Sequence, residues 1–301
     1  MGVRILSIAL FFCLVGAGVE AQEIDKELLL NDIKTLSSDT FAGRKPGTQG
    51  HQRAMNYLTA RFRALDLKDF RQGYLDAFEI EDRLKGYNVI GYIPGQCREA
   101  IVVSAHYDHL GERDGKLYLG ADDNASGVSA LLALAAYFSE RTPAYTLIFV
   151  AFDAEEMGLR GANAFVNNPP IPLEHILLNI NMDMVSRSDR NELYACGTYH
   201  YPHLSPFINT DNPVVTLKTG HDEPGSGHQD WTTQSDHAAF HRVGIPFIYF
   251  GVEDHPDYHT PNDTYEHIQP DFFYNAVLTI RDIVERINRN ADLLKTRKSA
   301  R

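Results

Sequence analysis

Three short apolar runs dominate the middle of the chain: Ile101-Val102-Val103-Ser104-Ala105, Thr146 to Phe152, and Ile176-Leu177-Leu178-Asn179-Ile180-Asn181. Near-continuous runs of this length suit strands buried on both faces of a sheet that helices cover. Between the first two, Ser126 to Glu140 carries Val128, Leu131, Leu132, Ala135 and Phe138 at helical spacing, and a later run, Ile245 to Phe250, reads as another strand. The C-terminal segment repeats the helical spacing over Phe273, Ala276, Val277, Ile280, Ile283, Val284 and Ile287. Two amphipathic helices precede the strands. Leu28, Leu29, Ile33 and Leu36 share a face of the first, and Ala54, Tyr57, Leu58, Phe62 and Leu65 share a face of the second. Ser38 to Gly50 between them is a loop punctuated by Gly and Pro. Strand-helix alternation predicts a three-layer α/β/α sandwich with a mostly parallel, mixed central sheet. No repeat or linker divides residues 22–301, which are read as a single domain.

The first residues have a different pattern. Arg4 precedes a nearly uncharged apolar run, Ile5 to Val19, and Val19-Glu20-Ala21 offers a small-residue cleavage site before Gln22. The run falls short of the roughly 20 residues a spanning helix needs, so residues 1–21 are expected to be a signal peptide. The mature chain is then exported, periplasmic or extracellular, without stable membrane association. Export would permit a bridge between Cys97 and Cys196, although their spacing does not specify one. No Cys-x-x-Cys pair is present, which argues against thiolate metal binding. With 40 Asp and Glu against 28 Lys and Arg, the formal charge of −12 argues against polyanion partners such as nucleic acid.

Candidate chemistry gathers where the strands end, the usual location of functional residues in such sheets. The first run exits into His106-Tyr107-Asp108, where an acid two residues on can brace the imidazole. Gly120 to Gly127 opens the following helix with two adjacent acids, Asp122 and Asp123, before Asn124, which is more than helix capping requires. The second run exits into Asp153-Ala154-Glu155-Glu156. Two neighbouring glutamates there suit a division of work in which one binds metal and the other holds a proton. The third exits into Asp183 between two methionines, where a lone carboxylate needs a partner. Finally, His255 to Thr264 supplies a second imidazole, His259, beside the phenol of Tyr258. Two Zn²⁺ would balance the carboxylates of Asp123, Glu156 and Asp183 together with one bridging hydroxide, and His106 and His259 would give each ion a nitrogen donor. Co²⁺ or Mn²⁺ would suit the same donors.

Together these motifs closely resemble the aminopeptidase Y family of dizinc exopeptidases, over roughly Leu36 to Ile287. The resemblance is carried by Ser104 to Gly111, Gly120 to Gly127, Ala154 to Leu159, Asn181-Met182-Asp183 and Asp257 to Thr260, in the family's order. It implies that His106 and Asp183 are terminal ligands of one zinc and that Glu156 and His259 are those of the other. Asp123 is then the bridging carboxylate, Glu155 the general base and Asp108 the acid that orients His106. The resemblance also implies a cis peptide after Asp123 and offers Tyr258 as the phenol that polarises the substrate carbonyl. The expected reaction is hydrolysis of the N-terminal bond of peptides with a free amino terminus by a metal-bridged hydroxide. A glutaminyl-cyclase-type aminoacyltransferase and a dizinc carboxypeptidase are the alternatives on the same fold. The other histidines, His109 and His255 among them, are read as structural or hydrogen-bonding residues.

Overall fold

A computed structural model describes residues 23–295 except Gln72 and Asp82. The expected signal peptide lies outside the described residues. In chain order the elements are α1 (Lys26–Leu36), α2 (Gln49–Ala64), β1 (Leu75–Glu81), β2 (Leu84–Ile93), β3 (Cys97–His106), β4 (Gly111–Arg113) and β5 (Lys116–Tyr118). There follow α3 (Gly127–Ser139), β6 (Tyr145–Phe152), α4 (Arg160–Asn167), β7 (Ile176–Met182), β8 (Glu192–Cys196) and β9 (Thr216–Thr219). The chain closes with α5 (His237–Arg242), β10 (Phe247–Gly251) and α6 (Pro270–Asn290), then a last turn, Asp292–Lys295.

Eight strands form one sheet in the order β1-β2-β6-β3-β7-β10-β8-β9. Its centre is parallel, since β3 pairs in parallel with both β6 and β7, and β7 with β10. The antiparallel pairs β1–β2, β2–β6 and β8–β10 make the sheet mixed. Side chains on β6 alternate with period two between the faces. Leu147, Phe149 and Ala151 join one core with residues of α1, α2, α3 and α6, while Ile148, Val150 and Phe152 join a second core with Phe165 of α4 and Phe240 of α5. Helices thus cover both faces, giving the three layers expected.

Two details depart from the pattern-based reading. Leu28, placed on the buried face of α1, is 39% exposed, whereas Asp32 is buried and pairs with Arg61 and Tyr57 of α2. A buried ion pair therefore takes a place on the face that hydrophobicity alone assigns to leucine. Residues 39–44, read as plain loop, form a tight 3₁₀ turn in which Ala42, Gly43 and Arg44 all have positive φ. Cys97 and Cys196 are free thiols, Cys97 partly exposed and Cys196 buried.

Candidate metal centre

Parallel register brings the strand exits to one edge. His106 lies opposite Phe152, Ser104 opposite Asn181, and Phe250 opposite Met182. Adjacent strands lie about 5 Å apart, so side chains just past these ends are close neighbours. His106 ends β3, Glu155 and Glu156 follow β6, and Asp183 follows β7. The loop after β10 carries Tyr258 and His259. Ala154 and His259 have left-handed backbone, with φ of 55° and 54°, uncommon for residues with a Cβ and placed where site side chains are redirected.

Asp123 arrives from the loop before α3, and neighbouring polar residues fix that loop. The Asp123–Asn124 peptide is cis. Asn124 donates to Met182 O at 3.0 Å and accepts from Gly127 N at 2.9 Å and Met184 N at 3.2 Å, tying the loop to the exit of β7. Asp263 accepts the backbone N–H groups of Asp122 and Asp123 at 2.8 and 3.0 Å. Burial, together with neighbouring Asp122, pushes the Asp263 carboxyl up to about 6. The Asp122 carboxylate turns away from the cluster, accepting from Ser186 and lying 3.1 Å from His255 Nε2.

The resulting cluster has Asp123 at its middle. His106 Nε2 lies 3.4 Å from Asp123 Oδ1 and 3.3 Å from Asp183 Oδ1. On the other side, His259 Nε2 lies 2.9 Å from Asp123 Oδ2 and 3.4 Å from Glu156 Oε1. His106 Nδ1 lies 3.2 Å from the Asp108 carbonyl oxygen, which can only accept, so Nδ1 carries the proton and Nε2 presents a lone pair. The Asp108 carboxylate is farther from the ring, at 3.7 Å, and instead accepts the backbone N–H groups of Glu155 and Glu156 at 3.0 and 3.3 Å. Asp108 thereby ties the exit of β3 to the exit of β6, a role beyond the imidazole brace read from sequence.

Electrostatics follow from crowding. Against the effect of burial, contacts with His109 and His259 hold the Glu156 carboxyl well below its usual range. His259 is pushed up to about 10, because Asp123 and Glu156 outweigh its own desolvation. Burial drives Glu155 well up; His106 opposes this, and Asp183, Asp236 and Asp108 add to it. Acids packed this closely need compensating positive charge.

The donor set fits metal ions. About 2.0–2.1 Å for bonds from zinc to nitrogen and oxygen gives tetrahedral ligand–ligand edges of about 3.3 Å, close to the separations in the cluster. Ligand atoms of His106, Asp123 and Asp183 all lie within 4.8 Å of one another, as do those of His109, Asp123 and Glu156. Glu156 Oε1 is buried without a hydrogen-bond partner, as a ligand oxygen would be before its cation arrives. The cluster opens into a pocket whose lining includes Glu155, Met184, Trp231, Tyr249, Asp254 and Tyr258. Tyr258 stacks on His259 with ring centroids 4.0 Å apart.

All eight residues singled out from the sequence therefore lie in or around one cluster. Two more belong with them. His109 enters beside Glu156, and Arg44 lies fully buried beneath the cluster. Arg44 donates to Tyr107 O, Leu36 O, Leu119 O and Gly120 O at 2.7–2.8 Å, and more distantly to Asp123 O. No local pattern marks Arg44, since its partners are spread along the chain. For His109, the adjacent Asp108 was the available signal.

The sequence profile described as peptidase family M28 matches residues 88–284, which include every strand exit of the cluster. The chain belongs to peptidase family M28. Aminopeptidase YwaD of Bacillus subtilis is 31% identical over 187 residues, covering 59% of this chain and 39% of that protein. Leupeptin-inactivating enzyme 1 of Streptomyces exfoliatus is 26% identical over 226 residues, covering 72% and 46%. The chain thus spans less than half of the length of these two relatives. Among solved structures, BSAP, a zinc aminopeptidase from Bacillus subtilis, superposes with a TM-score of 0.68 at 18% identity, covering 87% of this chain and 95% of that one. A glutaminyl cyclase from Bacteroides thetaiotaomicron gives 0.71 at 21%, covering 88% and 99%. At these identities the two structures show a shared fold alone.

Proposed function

We propose that the chain is a dizinc aminopeptidase that removes the first residue of peptides bearing a free amino terminus. The observation that carries this reading is the sharing of one carboxylate, Asp123, between two converging ligand sets, with Glu155 beside them in the same pocket. His106, Asp123 and Asp183 would hold one ion, and Asp123, Glu156 and His259 the other; Co²⁺ or Mn²⁺ could replace zinc. When bound, such ions polarise a carbonyl and acidify water.

The chain's own groups supply the rest. Glu155 takes a proton from the attacking water and returns it to the departing amine, a task suited to a carboxylate whose pKa is raised by burial. Burial and the nearby Asp123 and Asp183 push the Tyr258 hydroxyl far above its ordinary value, so it stays protonated and donates to the developing oxyanion. The α-ammonium group of the substrate settles among Glu155, Asp183 and Asp254, so a substrate with a blocked amine loses this contact. Among the described residues no helix is long and apolar enough to cross a membrane. Export belongs to the same proposal, and N-terminal sequencing of the protein recovered outside the cytoplasm should begin at Gln22.

Hydrolysis of leucyl-anilide against N-acetyl-leucyl-anilide by the zinc-loaded chain tests the reading. Cleavage confined to the free amine is expected. Equal cleavage of both would overturn the aminopeptidase assignment, and cyclisation of a glutaminyl peptide without release of a free amino acid would favour the transferase.

A further inference from the structure

His109 is 1% exposed, and neither of its ring nitrogens has a hydrogen-bond partner. Leaving even one such nitrogen unsatisfied in the interior costs on the order of 1–3 kcal/mol. Yet Nδ1 lies only 2.9 Å from Glu156 Oε1, which is also unpartnered, and 3.6 Å from Asp123 Oδ2. At 2.9 Å an aligned pair would form a hydrogen bond, so the ring N–H direction and the oxygen do not face each other. Two donor atoms that are close but misaligned are arranged as ligands pointing at a common third point. With bonds of about 2.1 Å to that point, a separation of 2.9 Å corresponds to roughly 90° at the cation, within reach of a distorted tetrahedral site. His259 Nε2 approaches the same Oε1 at 3.4 Å and the same Oδ2 at 2.9 Å.

The chain makes specific room for this ring. Gly120 has φ +60°, and a Cβ there would lie 2.5 Å from His109 Cδ2 and 2.0 Å from Asp123 O. Any larger residue would push the imidazole against Glu156 or displace the loop carrying Asp123.

We propose that His109 is a fourth protein ligand for the metal held by Asp123, Glu156 and His259, so that the two metal positions are unequal. One position is closed by four side chains. The other, formed by His106, Asp123 and Asp183, keeps three and stays open in the pocket shared with Glu155. Four protein ligands are the habit of retained, structural zinc, whereas three with an open place are the habit of exchanging, catalytic zinc. The closed position fills first and empties last. This inference rests on the dizinc reading above.

The test is metal retention rather than turnover. The full-length mature chain is loaded with zinc, dialysed against a graded chelator series, and its metal counted by mass spectrometry. Wild type should lose its ions in two steps, with one ion retained where the other is gone. His109→Ala should lower the affinity of the retained ion at least ~10-fold and merge the two steps, as removing even an outer-sphere partner costs about 10–100-fold. Melting of each apoprotein in excess chelator separates loss of a ligand from loss of fold, and His109→Gln, which keeps most of the volume, serves if the alanine variant does not fold. Two-step release unchanged in a folded His109 variant overturns the inference alone. Tighter retention in that variant also overturns it, since that is what removing a competing imidazolium cation would produce. A wild-type chain that takes up no zinc overturns the dizinc reading itself.

Discussion

Replacing Arg44 should damage the fold and the metal centre together, and the structure sets the scale. Its guanidinium is fully buried and makes four bonds of 2.7–2.8 Å to carbonyl oxygens, plus a longer contact at 3.5 Å. Burial lowers its pKa to about 10, with Asp123, Asp263, Asp108 and Glu156 holding it up, so the group stays cationic at neutral pH. The four carbonyls belong to the last residue of α1, the residue between His106 and Asp108, and the loop leading to Asp123. Arg44→Met keeps much of the volume but takes the donor away from the carbonyls of Leu36, Tyr107 and Leu119, while Gly120 O keeps the Ala125 N–H at 3.2 Å. At roughly 1–1.5 kcal/mol for each of these three, the loss is about 3–4.5 kcal/mol, a large part of the 5–15 kcal/mol typical of a folded domain. Arg44→Lys has at most three donors and a different reach, so about half that loss is expected. Urea unfolding of the chelated protein measures both values. Arg44→Met within ~1 kcal/mol of wild type would refute the reasoning. A folded Arg44→Lys with wild-type zinc affinity would refute the part in which Arg44 positions the ligands.

Two further outcomes follow from particular side chains. Glu155→Gln should keep its zinc yet lose at least ~10²-fold in kcat, since it removes the proton carrier and none of the proposed ligands; normal turnover in that variant would remove Glu155 from the mechanism. Burial lowers His237 from 6.5 to about 3, although its ring donates to Trp231 O at 2.9 Å. Above pH 6.5 both folded and unfolded chains carry it neutral and its contribution is complete. As pH falls, only the unfolded chain gains the proton, so stability drops until about pH 3. At ~1.36 kcal/mol per pH unit, wild type should lose about 2 kcal/mol between pH 6.5 and 5 relative to His237→Asn; parallel urea titrations showing no such difference would sink the assignment.

The central architecture was readable because its signals are local. The runs of β3, β6 and β7 are apolar on both faces, and the helical spacing of α3 and α6 matches the residues that reach the core. The motifs at their exits are contiguous, which is why the acids and imidazoles of the cluster could be named from them. What escaped depends on partners distant in sequence. The strands β1 and β9 lie at the sheet's edges, carry exposed polar residues and give no continuous apolar run. Arg44 lies in what reads as a loop, and its meaning appears only when carbonyls 63 to 76 residues away close around it. Asp263 caps the Asp123 loop from 140 residues further along the chain. Asp108 was found through its neighbour His106, while its shorter bonds, to the amides of Glu155 and Glu156, cross from one strand exit to the next.

The most direct measurement is the zinc content of the wild-type chain and of Asp123→Asn, counted per chain by native mass spectrometry under saturating zinc. Two ions in wild type are expected, with marked loss in the variant, because among the described residues Asp123 alone pairs with both His106 and His259. Full occupancy in Asp123→Asn, or a wild-type chain that holds no more than one ion under saturating zinc, would contradict the shared-carboxylate centre.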